Sequence, residues 1–458
     1  MKAIGMTTQE RRAASSLAGI YAIRMLGMFM ILPVFALYAE HLAGVTPVLV
    51  GIAIGIYGLS QAVLQIPFGM ASDRFGRKPV IALGMVIFAI GSAVAGMAHS
   101  IHAVILGRAL QGAGAVAAAV MALVADLTRE ENRTKAMAFI GMSIGTSFII
   151  AMVLGPILNH WIGVPGIFWL TSGLALLGIV MLYTIVPTPQ SSRHHSDAEP
   201  VPGQFGRILR DGQLLRLDLG IMVLHLTLTA NFVAIPLILR DDLHFATAHH
   251  WMLYLPVMVL AMALSVPFII IGEKRHKLKQ VLLGAIATMA VAEVGIAEFG
   301  LHSLGAMAAL LLLFFTGFNL LEASLPSLVS KFAPAEAKGT AMGVYNTSQF
   351  IGAFIGGAAG GWFHGHYGYA GVFLFTATVI AVWWVAALGM RQPRYLASYL
   401  LNVGIIEADR AALLSSELLQ VQGVVEAVVK PEDGVAYLKV ESKKLDTDAL
   451  QAYAVAQS

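Results

Sequence analysis

Four charged residues sit inside stretches that are otherwise apolar: Arg24, Arg108, Glu293 and Glu322. An ionised side chain among hydrocarbon is costly, so each needs a partner or a task. A carboxyl group in such a setting can take up and release a proton. Glu322 is the candidate proton carrier, because Asn319 stands three residues before it, on the same helical face. Arg108 and Arg24 are assigned with it to proton coupling. The plainer reading of Glu322 is a structural ion pair or a helix-end group near the headgroups. Glu293, five residues from the outer end of its apolar run, is read as interfacial.

A second constellation is the hydrophilic hairpin Gly69-Met-Ala-Ser-Asp-Arg-Phe-Gly-Arg-Lys78. Asp73 and Arg77 are four apart and can pair on a helical turn. Gly69 lets a neighbouring helix approach closely, and Gly76 permits a tight reversal. Arg74, Arg77 and Lys78 hold the loop on one side of a membrane. Asp126, at the same-side end of a later apolar run, is expected to complete a charge cluster with Asp73 and Arg77. The plainer reading is a basic loop that only orients the chain.

Polar residues also recur at helical spacing. Tyr57, Gln61 and Gln65 are four apart, Tyr345, Ser348 and Gln349 share a face, and His225 and Asn231 lie on one run. With Gln111 and Asn319 they form a candidate cavity lining, and Phe314, Phe315 and Phe318 an adaptable apolar wall. Such a lining suits a small amphiphilic or aromatic solute; the same aromatic stripe is equally a packing surface. Ten of the 14 histidines fall in loops of the opposite side without dense metal-ligand spacing, and no metal site is expected. There are no cysteines, which excludes disulfides, thiolate metal sites and cysteine nucleophiles. No Walker-type Gly-x-x-x-x-Gly-Lys-Ser/Thr loop occurs, so no ATP-driven pump and no enzyme is expected. No cofactor is expected either, the proton being the coupling ion.

The elements that position these residues are membrane spans. The chain of 458 residues is 58% hydrophobic and 12% charged, roughly half the usual charged share, with mean hydropathy +0.77. Long continuous apolar runs fit helices crossing a bilayer. Spans are predicted at 17–39, 48–70, 79–98, 103–125, 138–160, 166–187, 217–239, 251–272, 279–298, 303–328, 341–363 and 369–390. Residues 1–187 and 217–390 form two six-helix bundles joined by a polar linker at 188–216. The N-terminal side carries 21 Lys and Arg through Arg394, the other side only Arg240. That asymmetry predicts an inner-membrane protein with both termini cytoplasmic. The basic residues are scattered through loops, so no nucleic-acid partner is expected; the lipid bilayer is the partner.

The halves repeat. Ile66-Pro67-Phe68 with Asp73, Arg74 and Arg77 recurs 200 residues on as Val266-Pro267-Phe268 with Glu273, Lys274 and Lys277. Arg133-Thr-Lys-Ala-Met137 recurs at an offset of 205 as Lys338-Gly-Thr-Ala-Met342, and Phe29 and Pro33 recur at 203 as Phe232 and Pro236. In the second hairpin His276 replaces the turn glycine. The 69–78 hairpin closely resembles motif A of the major facilitator superfamily. Arg108-Ala-Leu-Gln-Gly112 resembles its motif B, and Gly141, Gly145 and Gly155-Pro156 resemble the antiporter motif C, with fewer glycines and Asn159 at a usually small position. Other runs, among them Asp-Leu-Thr-Arg-Glu and Gly-Thr-Ala-Met-Gly-Val-Tyr, resemble the drug transporters of bacterial inner membranes. The resemblance implies twelve helices in two parallel six-helix repeats, rocking about a midplane cavity. It also implies an exporter of the drug/proton antiporter type, and a motif A gate whose aspartate nears the start of the eleventh helix, here Gly339–Thr340. Proton-coupled solute uptake and a non-transporting sensor are the alternatives.

Beyond Pro393 the composition changes. Strands at 398–403, 424–429 and 435–440 and helices at 407–421 and 445–456 give the order βαββα, with a turn at 431–434. The expected fold class is thus an all-α polytopic membrane protein plus a small α+β ferredoxin-like domain at 395–458. That domain resembles heavy-metal-associated modules in rhythm but lacks their Cys-x-x-Cys loop. A regulatory, ligand-binding or self-associating role is expected of it.

Overall fold

The computed structural model describes residues 6–189, 202–334, 337–392, 396–431, 434–441 and 444–454. Residues 190–201 of the linker expected at 188–216, Arg394, and the centre of the turn at 431–434 lie outside the described residues. The helix after the linker begins at Gly212, where the Asp211 carboxylate accepts from the Gln213 and Leu214 amides and caps it.

The first half opens with α1 (Thr8–Phe29) and, after a bend, α2 (Leu32–Ala39), which carries Pro33 in its first turn. Thr7 and Glu10 cap α1 reciprocally. The Glu10 carboxylate also accepts from the Arg129 amide and guanidinium at 2.9 and 3.0 Å. Then follow α3 (Pro47–Phe75), α4 (Arg77–Gly96), α5 (Ile101–Ala113), α6 (Ala117–Leu127) and α7 (Glu130–Thr184). The second half comprises a short α8 (Phe205–Ile208), α9 (Gly212–Asp241), α10 (His250–Lys274), α11 (Leu278–Gly295), α12 (Leu304–Phe332) and α13 (Lys338–Leu388).

A helix of 55 residues, as α7, would be about 80 Å long, against a hydrocarbon core of roughly 30 Å. Both α7 and α13 are instead broken at a glycine with positive φ: Gly163 (66°) in one and Gly368 (67°) in the other. Each supplies two spans. With α1–α2 and α5–α6 each counted as one bent span, the described helices make twelve. The two-bundle, twelve-helix architecture stands as the sequence implies.

α9 is buried along nearly its whole length and forms the core of the second half, whereas α7 and α10 show mostly apolar residues outward. The halves meet where α3 runs along α13. A Cβ on Gly51 would collide with the Gly357 carbonyl, and one on Gly55 would lie 2.9 Å from Phe354 Cα. Backbones this close require glycine, as in membrane helix interfaces.

Residues from 396 on form a three-stranded antiparallel sheet of order β1 (Ala397–Asn402), β3 (Val435–Val440), β2 (Val424–Lys430). α14 (Ala408–Leu418) follows β1, and α15 (Thr447–Gln451) is shorter than the 445–456 helix expected. The central strand alternates. Ala436, Leu438 and Val440 pack with Leu414 and Leu418 of α14, while Val435 and Tyr437 pack with Leu400 on the other face.

Candidate functional site

The hairpin between α3 and α4 is one residue long. Gly76 closes it with φ 92°, a value that L side chains rarely adopt. Arg77, 4% exposed, is the hub. It pairs with Asp73 one turn away, its Nε donates to the fully buried Asp126 carboxylate at 3.2 Å, and its Nη1 donates to Ser72 Oγ at 2.9 Å. The expected cluster of Asp73, Arg77 and Asp126 is therefore assembled. The other members go elsewhere. Arg74 is exposed, with its guanidinium over the Phe75 ring, and Lys78 donates to the Val186 carbonyl at 2.7 Å, capping the end of α7. Gly69 faces Ala118 of α6, within its own half. In the second half Glu273 accepts from Lys331 of α12 at 2.7 Å and from Ser327 at 2.8 Å, and His276 adopts φ 57° at the turn.

Inside the first half, Arg24, Tyr57, Gln61, Gln65, Arg108 and Gln111 are all buried and gather where α1, α3 and α5 meet. Arg24 donates to Gln61 Oε1. Arg108 donates to the Ala53 and Ile54 carbonyls, both at 3.3 Å, and to Gln111 Oε1 at 3.0 Å; Gln111 in turn donates to Ser92. Gly112 lets α5 close on α3, since a Cβ there would strike the Tyr57 carbonyl.

The acidic groups occupy the second half. Glu322, with its side chain 38% exposed, lies 3.2 Å from His225 Nε2, and Gln349 Nε2 is 2.7 Å from that same nitrogen. Glu322 is not the isolated carboxylate that its apolar helix implied; two other helices supply its network. Asn319 keeps its amide nitrogen without a described partner, as do the Tyr345 hydroxyl and one Asp218 oxygen. Glu293 is a correction. It is fully buried, accepting from Asn231 Nδ2 and Thr376 Oγ1 at 2.7 Å each, because its face of α11 turns into the bundle. Phe148 of the first half bridges to Phe315 and Phe318 of the second at 6.3 and 6.0 Å.

The Major Facilitator Superfamily model matches residues 17–357 and again 217–400. The chain belongs to the Major Facilitator Superfamily. It is 48% identical over 442 residues to the inner membrane transport protein YajR of Escherichia coli K12, spanning 96% of each chain. It is 26% identical to the multidrug resistance protein MdtH of Klebsiella pneumoniae strain 342, over 81% of this chain and 94% of that one. A crystal structure of a bacterial homolog to the human lysosomal transporter Spinster, in an inward-facing and occupied conformation, superposes with TM-score 0.70 at 13% identity, over 84% and 96% of the two chains. The fold and the relatives are those of transporters and not of enzymes.

As a superfamily transporter the molecule shows an uneven use of its motifs. Of the motif C residues, Gly155 packs closely, a Cβ there lying 2.5 Å from the Met30 carbonyl, and Pro156 follows it within α7. Gly141 and Gly145 have nothing within 4 Å and serve no packing here. Arg24 and Arg108 were grouped with Glu322 for coupling, yet the structure keeps them apart: the arginines are bonded within the first half, Glu322 within the second. The glycines at which α3 meets α13, Gly51, Gly55 and Gly58, lie in the part of α3 away from the hairpin. On that same far face Arg240 forks onto Glu40 of the first half at 2.6 and 2.9 Å. Asp73 contacts Arg77 of its own half. The transporter is thus closed on the face opposite the hairpin.

Proposed function

We propose that this chain is a proton-driven exporter of small amphiphilic or aromatic solutes, seated in a bacterial-type inner membrane with both termini in the cytoplasm. The observation that carries the reading is the Glu322–His225–Gln349 network. His225 Nε2 holds either a proton or a lone pair. With a proton it donates to Glu322; without one it accepts from the Gln349 amide, and Glu322 must satisfy its oxygens otherwise. The site therefore has two consistent proton arrangements, and its carboxylate is partly exposed. No cofactor is needed for this chemistry.

Export is supported by the motif C resemblance and by the multidrug resistance relative. Membrane placement is supported by the E. coli relative, an inner membrane transport protein. The distribution of Lys and Arg, 21 to one, supports cytoplasmic termini. With that orientation the hairpin faces the cytoplasm, and the state described is closed towards the outside. The Phe148–Phe318 bridge beside His225 offers an aromatic surface at the interface of the halves.

In proteoliposomes, Glu322→Gln is expected to keep solute counterflow and lose transport driven by a pH gradient. Undiminished gradient-driven transport by the variant would reject Glu322 as the proton carrier. Solute moving in the same direction as the protons would overturn export while leaving transport in place.

A further inference from the structure

The first half contains a cationic cluster whose charge nothing in that half neutralises. Its six predicted spans, read in sequence, hold Arg24 and Arg108 and not one Asp or Glu; the nearest acids lie at span ends. Both guanidiniums stand over the Tyr57 ring, with centroid distances of 5.8 and 5.3 Å, and Arg24 also stands 5.8 Å over Phe88. Ring faces offset part of the cost of a buried cation but neutralise no charge. Arg108 is well bonded, to two carbonyls and a glutamine. Arg24 is not. It is fully buried, yet its Nε and Nη1 have no hydrogen-bond partner among the described residues, and neither have Gln61 Nε2 and the Tyr57 hydroxyl.

Four unused donors around a buried cation form a site that lacks acceptors. An unsatisfied buried donor costs more than a bonded one returns, and more still when charged. What fits is a group that brings several acceptor oxygens and a negative charge, as a carboxylate or sulfonate does. Phe29, five residues along α1 from Arg24, meets Phe148 at 5.0 Å, and Phe148 meets Phe318 beside His225. A run of aromatic rings thus leads from Phe29, on the same helix as Arg24, to the Glu322 network.

We propose that the transported solutes are organic anions with an aromatic body, whose carboxylate or sulfonate is held by Arg24 with Gln61 and Tyr57. This deepens the transport reading and rests on it for the word transported, but the anion site itself does not depend on coupling. Arg24 then belongs to solute recognition and not to the proton path. The cluster is sealed in the state described, so the solute meets Arg24 as the halves rock.

The test uses two permanently charged bicyclic probes, 2-naphthalenesulfonate and N-methylquinolinium, with the purified full chain. Equilibrium dialysis is expected to show the sulfonate bound at least about tenfold more tightly than the quinolinium. Arg24→Gln should weaken the sulfonate by about tenfold or more, the loss typical of removing one member of a buried charge pair. The quinolinium should change by less than about twofold, and Arg24→Lys should recover part of the sulfonate affinity. A merely structural arginine would move both probes alike. Failure of Arg24→Gln to fold would leave the wild-type charge preference as the deciding measurement. Absence of sulfonate binding, equal or tighter binding of the quinolinium, or an unchanged sulfonate affinity in Arg24→Gln overturns the proposal. Arg24-dependent sulfonate binding without movement in proteoliposomes would uphold the anion site and overturn the transport reading. Proton-driven movement of the quinolinium alone would do the reverse.

Discussion

The two halves share a backbone plan and differ in the sign of the charge inside their spans. The spans of the first bury Arg24 and Arg108; those of the second bury Asp218 and Glu293 and carry the partly exposed Glu322. The hairpins differ in the same way. In the first, one arginine sits between two acids, Asp73 and Asp126; in the second, the acid Glu273 takes its base from α12, because Lys331 stands at the repeat position of Asp126. At the hairpins the repeat keeps charge at matching places, with a change of sign at Asp126 and Lys331; the charges buried within the spans, Arg24, Arg108, Glu293 and Glu322, have no charged counterpart in the other half. The spans of one half thus hold buried cations and those of the other buried or partly exposed acids, the groups to which the proposed function assigns proton exchange.

The largest expected effect breaks that comparison at the hairpins. Asp126 has no exposed side-chain surface, so Arg77→Ala takes a guanidinium away from a buried carboxylate. Removing one partner of a buried pair costs about 3–5 kcal/mol. Lys331→Ala instead leaves Glu273, whose side chain is 39% exposed and can turn to water, at a cost of about 1 kcal/mol or less. Thermal unfolding of the two purified variants should show a marked loss for the first and little for the second. Equal losses would mean that the two hairpins carry the same load.

A smaller effect is expected where the halves touch. Gly51→Ala places a methyl against the Gly357 carbonyl, and overpacking of this kind costs about 1–3 kcal/mol. The strain exists only while α3 and α13 are pressed together on the face away from the hairpin. Since about 1.4 kcal/mol is a factor of ten in an equilibrium, the population should move towards the state open on that face. A cysteine pair at Glu40 and Arg240, in a chain that has no cysteine of its own, reports closure by its crosslinking yield. A yield unaffected by Gly51→Ala would show that this seam does not set the balance.

What was legible in the sequence was local or periodic. The Asp73–Arg77 spacing, the positive φ needed at Gly76 and the reversals near Gly163 and Gly368 follow from neighbours along the chain. The βαββα order followed from alternation. Glu293 was misplaced because hydropathy reports depth along a helix and not which way a face turns; its partners Asn231 and Thr376 are 62 and 83 residues away. The His225–Glu322 pair spans 97 residues for the same reason. Gly141 and Gly145 carry a packing signature but face no neighbour within 4 Å. The break in the fourth span at 114–116 lacks a proline to announce it.

The terminal domain sharpens the contrast between the two hairpins, because among the described residues it docks beside the second. Lys439 of β3 is 4% exposed and donates to the Lys331 carbonyl at 3.1 Å and the Ala333 carbonyl at 2.5 Å, at the end of α12. A cation at a helix C-terminus also meets the negative end of the helix dipole. Hydrogen bonds from a charged group contribute about 1.5–3 kcal/mol each way, spread here over a domain contact. Lys439→Ala is expected to loosen the domain from α12 while the twelve spans and the small sheet each stay folded. Limited proteolysis after residue 392 should quicken in the variant, with the unfolding temperature of the membrane part nearly unchanged. Loss of the folded membrane part would make the domain a structural member of the second half.

The smallest effect concerns the far face. Arg240 bridges the halves through Glu40, but both side chains are partly exposed, at 33% and 41%. Exposed pairs contribute about 0.2–1 kcal/mol, and salt screens them. The motif A cluster, by contrast, is buried and lies within one half, so it shapes the hairpin without tying the halves together in this state. Arg240→Ala should therefore lower closure of the far face by a few-fold at most. A cysteine pair at Pro47 and Gly365 suits the measurement, since a Cβ on Gly365 would lie 3.4 Å from that of Pro47, close to the separation a disulfide needs. The difference between variant and parent should shrink as salt is raised, because the parent loses the pair's contribution too. A large shift that persists in high salt would mean that Arg240 acts through Asp241 and Tyr369 of its own half, as a packed support and not as a latch.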